Sequence, residues 1–143
     1  MEILNENNYE EIINGYSKST WNPLFELIAK IEESISFGEL KIKEDSIFPR
    51  YNLSSVVNEF INLVYGIPIM ISFDWKNWEE GSEIFKNKNF DYNSIDIPTK
   101  CKLLSSIVRS DRFNEGILVI SFEDGTILKI LKSIQNQFYQ NSL

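Results

Sequence analysis

The 143-residue chain is long enough for one domain with a sizeable core, and its 43% hydrophobic and 24% charged residues are typical of a folded protein rather than a disordered one. The net charge of −7 disfavours binding to nucleic acids and to anionic membrane surfaces, both of which need clustered lysine and arginine. The sequence has no histidine and one cysteine, so Ser-His-Asp and Cys-His catalysis, intrachain disulfides and the usual zinc sites are excluded.

Other sequence signals narrow the class of protein further. Neither the G-x-G-x-x-G nor the G-x-x-x-x-G-K-[ST] nucleotide-binding loop occurs, and we expect no cofactor and no bound metal. The N-terminus lacks the basic start and apolar run of a signal peptide, and no apolar stretch approaches the roughly 20 residues of a membrane span. The abundance of Asn, Ile, Lys and Glu is typical of an AT-rich bacterial genome. We therefore expect a cytoplasmic bacterial protein without membrane association.

Two helices are predicted near the start of the chain. Aromatic and apolar residues recur at helical spacing in a short segment, 7–15. A longer helix is predicted over 22–37, with Asn22 as N-cap, Pro23 at the first helical position and Gly38 as the stop. Its apolar stripe comprises Leu24, Ile28, Ile31 and Ile35.

Three segments have features of β-strands. Residues 39–52 predict a small hairpin with its turn at 44–46, in which Pro49 must lie at an edge or an end. The apolar run 67–73 is either a buried strand or a packed connector, because periodicity does not separate the two. Residues 117–122 are rich in β-branched side chains but also fit a helix.

The remaining segments favour helices. Residues 54–65 form an amphipathic helix, and Asp74 is an N-cap for a helix that carries Trp75 and Trp78. After a polar loop over 86–96, further helices are predicted from Asp96 to Val108 and around 127–134.

Charged residues concentrate in the segment Arg109–Gly116. Arg109, Asp111, Arg112 and Glu115 could bind an anion or a carboxylate, because arginine offers a rigid bidentate fork. The alternative, which we favour, is a structural ion-pair network at the end of a helix. We also expect Arg112 to be partly enclosed and to pair with Glu115, Asp74 or Glu79.

The segment Asp74–Gly81 carries two tryptophans three residues apart. This spacing could offer a stacking surface for a planar ligand, but it more commonly buries one helix face, so Trp75 and Trp78 should not both be exposed. Cys101 lies on an apolar helix face and is interpreted as a buried small residue rather than a nucleophile.

Two motifs support a resemblance to a known class of proteins. They are Phe73-Asp74-Trp75-x-x-Trp78-x-x-Gly81 and Arg109-x-x-Arg112-Phe113-x-x-Gly116, followed by Gly125 and an Ile-x-x-Ile-Leu helix. Over roughly residues 20–135, the chain resembles a family of small bacterial domains of unknown function. The resemblance implies no activity, but it favours a helix for 114–123.

These observations predict a mainly α protein, a single compact helical domain over 1–143 with at most a small β-hairpin. The alternative is an α+β fold in which strands at 40–49, 67–72 and 117–122 form a small sheet.

Two functions remain open. The first is a non-enzymatic binding or regulatory module with a protein partner, which we favour over an enzyme. The alternative is a small-ligand-binding protein or enzyme with a site around Asp74, Trp78, Arg109 and Arg112, to which Glu115 would also contribute. No catalytic residue is assigned, and the oligomeric state is not predicted.

Overall fold

Seven α-helices and four short strands make up the part of the chain that the computed structural model describes, residues 3–41 and 50–141. The elements in chain order are β1 (Leu4–Asn5), α1 (Tyr9–Asn14), α2 (Lys18–Glu33), β2 (Gly38–Lys41), β3 (Arg50–Leu53), α3 (Ser55–Gly66), β4 (Ile71–Ser72), α4 (Glu79–Lys86), α5 (Ile97–Phe113), α6 (Ile117–Glu123) and α7 (Thr126–Asn141). Two 3-10 turns, Trp75–Asn77 and Tyr92–Ser94, precede and follow α4. The prediction of a mainly α fold is confirmed.

The long helix α7 packs on both α2 and α5, and these three helices contribute much of the core. Each contributes an apolar stripe at helical spacing, and every large side chain so buried stabilises the fold by about 1.5–3 kcal/mol. The most deeply buried members are Leu24, Leu27, Leu103, Leu104, Ile127, Ile130, Leu131 and Ile134. In the described part of the chain, no helix is both long enough and apolar enough to cross a bilayer.

The first long helix begins earlier than predicted. Its N-cap is Ser17, whose hydroxyl accepts a hydrogen bond from the Thr20 N–H, and Pro23 lies inside the helix instead of at its start. An interior proline costs about 3 kcal/mol because it removes a backbone hydrogen bond. The earlier start offsets this cost by placing Trp21 and Phe25 one turn apart, where their rings stack with centroids 5.8 Å apart and Trp21 is 1% exposed.

The predicted end of this helix is also wrong. The helix stops at Glu33, and the Ser34 hydroxyl donates to the Lys30 carbonyl at 2.7 Å. Ile35, predicted to extend the buried stripe, is fully exposed. Gly38 is not a helix stop but the first residue of β2, where a Cβ atom would lie 3.0 Å from the Val119 side chain.

The two small sheets meet the predictions only in part. Strands β2 and β3 pair antiparallel from Gly38↔Leu53 to Lys41↔Arg50, which confirms the hairpin at its two described ends. The predicted turn at 44–46 and Pro49 lie outside the described residues. The run 67–73 contains only the two-residue strand β4, which pairs in parallel with β1. The remainder of that run is a packed connector in which Ile69 and Met70 are fully buried.

The α+β alternative is wrong for residues 117–122, because they are part of helix α6 and not a strand. The cause is a cap supplied by the preceding helix: Asp111 Oδ1 accepts hydrogen bonds from the N–H groups of Gly116 (3.0 Å) and Leu118 (3.1 Å). Gly116 adopts φ 110°, which only glycine reaches without strain, and so turns the chain from α5 into α6. This local geometry outweighs the β-propensity of the Ile-Leu-Val-Ile run.

Removal of this cap is expected to destabilise the protein. Asp111→Ala leaves two backbone N–H groups without their acceptor, so we expect the free energy of unfolding to fall by about 1–2 kcal/mol in urea denaturation. Asp111→Asn keeps an acceptor oxygen and should lose less than half as much. Equal stability of the alanine variant and the parent would contradict the capping role.

Candidate functional site

An open groove of about 330 Å³ lies between the Trp75–Lys86 segment and α5. Its walls combine aromatic rings, two lysine side chains and three serines. The lining residues are Trp75, Lys76, Trp78, Gly81, Ser82, Phe85, Lys86, Ser106 and Ser110.

The position of Trp78 depends on the glycine three residues later. A Cβ atom on Gly81 would lie 2.3 Å from Trp78 Cε3 and 2.7 Å from Cζ3, so the indole ring rests directly on the glycine backbone. Trp78 has extended backbone angles (φ −81°, ψ 95°), which interrupt the helical conformation between the 3-10 turn and α4. The resulting bend places the indole ring over Gly81. The W-x-x-G spacing therefore has a structural explanation: only glycine at position 81 leaves room for the Trp78 ring.

Neighbouring side chains hold the Trp78 ring from its other sides. Phe73 packs against it edge to face, with ring centroids 5.3 Å apart. Lys102 of α5 directs its ammonium group towards three rings, with Nζ 4.6 Å from the Phe73 centroid, 5.0 Å from Trp78 and 5.6 Å from Tyr9. Cation–π contacts of this kind contribute about 0.5–2 kcal/mol each and tie the groove wall to α1 and α5.

The two motif segments meet at one end of the groove. The rings of Trp75 and Phe113 are 6.0 Å apart, and Lys76 Nζ lies 4.3 Å from the Phe113 centroid. Trp75 and Trp78 are both half-buried, as expected, whereas Phe113 is 73% exposed. The groove thus continues into an exposed aromatic surface that bears a lysine.

Asp74 lies at the N-cap position predicted for it, but the helix that follows is only the 3-10 turn Trp75–Asn77, and the Asp74 side chain makes no capping hydrogen bond. Its carboxylate accepts a hydrogen bond from Asn77 Nδ2 at 2.8 Å, and α4 begins only at Glu79. Asp74 is exposed and does not line the groove. Of the five residues predicted to bind a ligand, Trp78 alone lines it. Glu115 lies exposed just beyond the end of α5.

Arg112 is exposed instead of enclosed, and its partner is not one of the predicted carboxylates. Within residues 3–41 and 50–141, its Nη2 donates to the hydroxyl of Tyr65 in α3 at 3.2 Å. Within the described residues neither Arg109 nor Arg112 forms an ion pair, and the Asp111 carboxylate caps α6. An exposed guanidinium gains little from a single hydrogen bond, so Arg112 contributes less to stability than a buried pair would.

Arg109 lies on α5 between two residues, Ser105 and Phe113, that contact the segment 71–75. One turn earlier, Ser105 Oγ accepts a hydrogen bond from the Ile71 N–H at 3.0 Å, and one turn later Phe113 contacts Trp75. Arg109 Nε is buried and has no hydrogen-bond partner in the described part of the protein. The predicted site residues lie on neighbouring segments of the fold but do not converge on one pocket.

Lys100 is a buried charged residue that the sequence motifs did not single out. Its side chain is 0% exposed, and Nζ donates to Gln137 Oε1 of α7. Gln137 Nε2 in turn donates to the carbonyls of Asn93 (3.1 Å) and Ile95 (2.9 Å). Burial lowers the pKa of the Lys100 ammonium to about 8, against the opposing field of nearby acidic groups. The signal was present in the sequence, since Lys100 interrupts the apolar stripe of α5.

Cys101 is fully buried, which confirms its interpretation as a small core residue. Burial raises the pKa of its thiol well above the usual range, so the thiolate is not accessible near neutral pH. In the described ranges, no three cysteine, aspartate or glutamate side chains come together as a metal site would require.

Comparison with known proteins gives one match. No curated protein and no solved structure matches the chain. A family model described as a family of unknown function, DUF6508, matches residues 16–140, a range that contains the groove and both motif segments. The expected resemblance to an uncharacterised domain family is confirmed, and the chain belongs to the family of unknown function DUF6508.

Proposed function

We propose that this protein is a non-enzymatic binding module of the bacterial cytosol, and that the groove binds a segment of a partner protein bearing both aromatic and acidic side chains. The carrying observation is the composition of the groove: three aromatic rings beside two lysines, in a protein with a net charge of −7. Aromatic side chains supply large contact areas at protein interfaces, and the lysines attract carboxylates.

Helix α4 separates charges of opposite sign. Lys86 lines the groove together with Lys76 from the preceding turn, whereas Glu80 and Glu83 line a different cavity of about 450 Å³. The described lining of the groove therefore carries two positive charges and no carboxylate, although the whole chain is acidic. An acidic partner segment is attracted to the groove and repelled from most of the remaining surface.

The groove offers little chemistry for catalysis. Its described lining contains three serines but no carboxylate that could activate a hydroxyl group, and the chain has no histidine. The Ser106 hydroxyl already donates to the Lys102 carbonyl at 2.9 Å. The buried thiol of Cys101 suits a reducing compartment. These features favour binding over catalysis.

A small-molecule ligand is the alternative. The groove volume of about 330 Å³ lies at the lower end of the range for small-ligand pockets, roughly 300–1,000 Å³. A planar aromatic anion could lie on Trp75 and Trp78 with its charge near Lys76. The groove is open to solvent and continues into the exposed Phe113, which favours an extended peptide over an enclosed small molecule.

A pair of synthetic peptides tests the proposal. We expect an acetylated peptide of alternating Glu and Phe to change the tryptophan emission of the protein saturably, whereas the matching Lys and Phe peptide should not. Only Trp75 and Trp78 can respond directly, because the third tryptophan, Trp21, is buried in the core. The double variant Lys76→Gln/Lys86→Gln should bind the acidic peptide about tenfold more weakly, a loss of roughly 1.4 kcal/mol.

Lys88→Gln/Lys129→Gln provides the matched control, since it changes the net charge equally at exposed positions outside the groove. This control should bind like the parent. Equal binding of both peptides, or an unchanged affinity in the groove variant, would refute the proposal. Tighter binding of naphthalene sulfonate than of the acidic peptide would favour the small-ligand alternative instead.

A further inference from the structure

Among the residues that the structure describes, Arg109 Nε finds no hydrogen-bond acceptor. This Nε atom is buried, and within the described ranges Arg109 forms no ion pair. A buried donor left unpaired costs about 1–3 kcal/mol, and more when the group is charged. Such donors are rare in folded proteins and usually indicate a missing acceptor.

Arg112 adds a second cation on the same side of α5. A spacing of three residues places Arg109 and Arg112 on the same face of α5. Neither forms an ion pair within the described part of the chain, although acidic residues outnumber basic ones by 21 to 14. The two arginines therefore place two guanidinium groups on one face of α5, neither of them bound to a carboxylate of the described residues.

Tyr65 supplies a further donor at this site. Its ring is buried, and its hydroxyl oxygen accepts a hydrogen bond from Arg112 Nη2 at 3.2 Å. The hydroxyl hydrogen remains available, since no other hydrogen bond involves this group among the described residues. The site therefore presents N–H and O–H donors from two helices, α3 and α5, and positive charge.

We propose that Arg109, Arg112 and Tyr65 bind an oxyanion, the carboxylate or phosphate group of a ligand. Guanidinium groups bind carboxylates and phosphates through two parallel N–H···O bonds, and such charge-assisted bonds are about twice as strong as neutral ones. For these oxygen atoms to accept from Arg109 Nε, which is buried, the Arg109 side chain rotates towards the bound anion. This site is separate from the groove, because neither arginine lines it, whereas Ser106 and Ser110 of the same helix do.

NMR of the uniformly ¹⁵N-labelled full chain tests this inference. The chain contains only three arginines, Arg50, Arg109 and Arg112, so each Nε–Hε resonance is assigned from one Arg→Lys variant. The protein is titrated with sodium phosphate or sodium acetate, while sodium chloride holds the ionic strength constant. We expect the Arg109 Nε–Hε resonance to shift downfield saturably and to exchange more slowly with water.

Two variants distinguish binding at this site from binding in the groove and from a general effect of charge. Arg112→Lys keeps the charge but removes the bidentate fork, and should weaken binding about tenfold. Lys76→Gln/Lys86→Gln, which alters only the groove, should leave the titration unchanged. If only phosphate saturates the shift of the Arg109 resonance, the natural ligand carries a phosphate group. If only acetate does, the ligand carries a carboxylate. An Arg109 resonance that moves no more with either anion than with chloride, or an affinity unchanged in Arg112→Lys, overturns the proposal.

Discussion

Gly81→Ala is expected to lower the free energy of unfolding by about 2 kcal/mol or more, because the new methyl group overlaps the Trp78 ring. Three ring atoms of Trp78 lie between 2.3 and 2.9 Å from the position of the added Cβ atom. The ring has little freedom to move away, since Phe73 and Lys102 hold it from other sides. Urea unfolding measures the loss of stability. The groove should also lose its shape, which tryptophan emission of the folded variant reports.

Gly66→Ala is the matched control for this experiment. Gly66 is the last residue of α3, and an added Cβ atom there would meet no atom within 4 Å. Alanine restricts the unfolded chain more than glycine does, so the control should be as stable as the parent or more stable by about 0.4–1 kcal/mol. If both variants unfold at the same urea concentration, Trp78 does not depend on Gly81 as described.

Lys100→Met is expected to stabilise the protein at neutral pH by about 2 kcal/mol. The ammonium group of Lys100 is fully buried and is bound by a neutral amide, that of Gln137, so its desolvation is poorly offset. Methionine fills a similar volume without a charge. The amide oxygen of Gln137 loses its donor in this variant, which costs part of the gain.

The pH dependence of stability identifies the cause of this effect. The pKa of Lys100 is about 8 in the folded protein and 10.5 for the ordinary side chain, so between these values the unfolded chain holds a proton that the folded protein has released. Stability therefore rises with pH in this window, and the penalty for the buried charge is fully present below pH 8. We expect the free energy of unfolding to increase by roughly 2 kcal/mol between pH 8 and pH 10.

Measurements should stop near pH 10. Burial and Glu10 raise the pKa of Tyr9 to about 12, so at higher pH ionisation of this tyrosine in the unfolded chain lowers stability and masks the lysine effect. Lys100→Met should show no rise from pH 8 to pH 10, whereas Lys129→Met, at an exposed position, should behave like the parent. A rise that persists in Lys100→Met would assign the titration to another group.

The sequence showed the two motifs and led us to expect that they meet, but it did not show which residues make the contact. The W-x-x-W-x-x-G and R-x-x-R-F-x-x-G segments do come together, through Trp75 and Phe113. The individual roles could not be read from residue type. Asp111 caps α6, and Arg112 binds a tyrosine 47 positions earlier in the chain. Those partners are set by how α3, α5 and α6 pack, which no local pattern encodes.

The sequence by itself determined the elements whose signals are local. Helix α5 begins where Asp96 caps the Thr99 N–H at 2.8 Å, and α3 where Ser54 caps the Val57 N–H, because these contacts span only three residues. The mainly α class followed from the apolar stripes of such helices.

Where local preference and packing conflict, only the tertiary structure determined the secondary structure of the segment. Residues 117–122 favour a strand by composition, yet they are helical because Asp111 caps their first turn and the core buries Leu118 and Phe122. Pro23 should begin a helix, yet it lies inside one whose earlier start buries Trp21 and stacks its ring on Phe25. In both segments, the free energy of contacts with distant residues exceeds the preference of the segment itself.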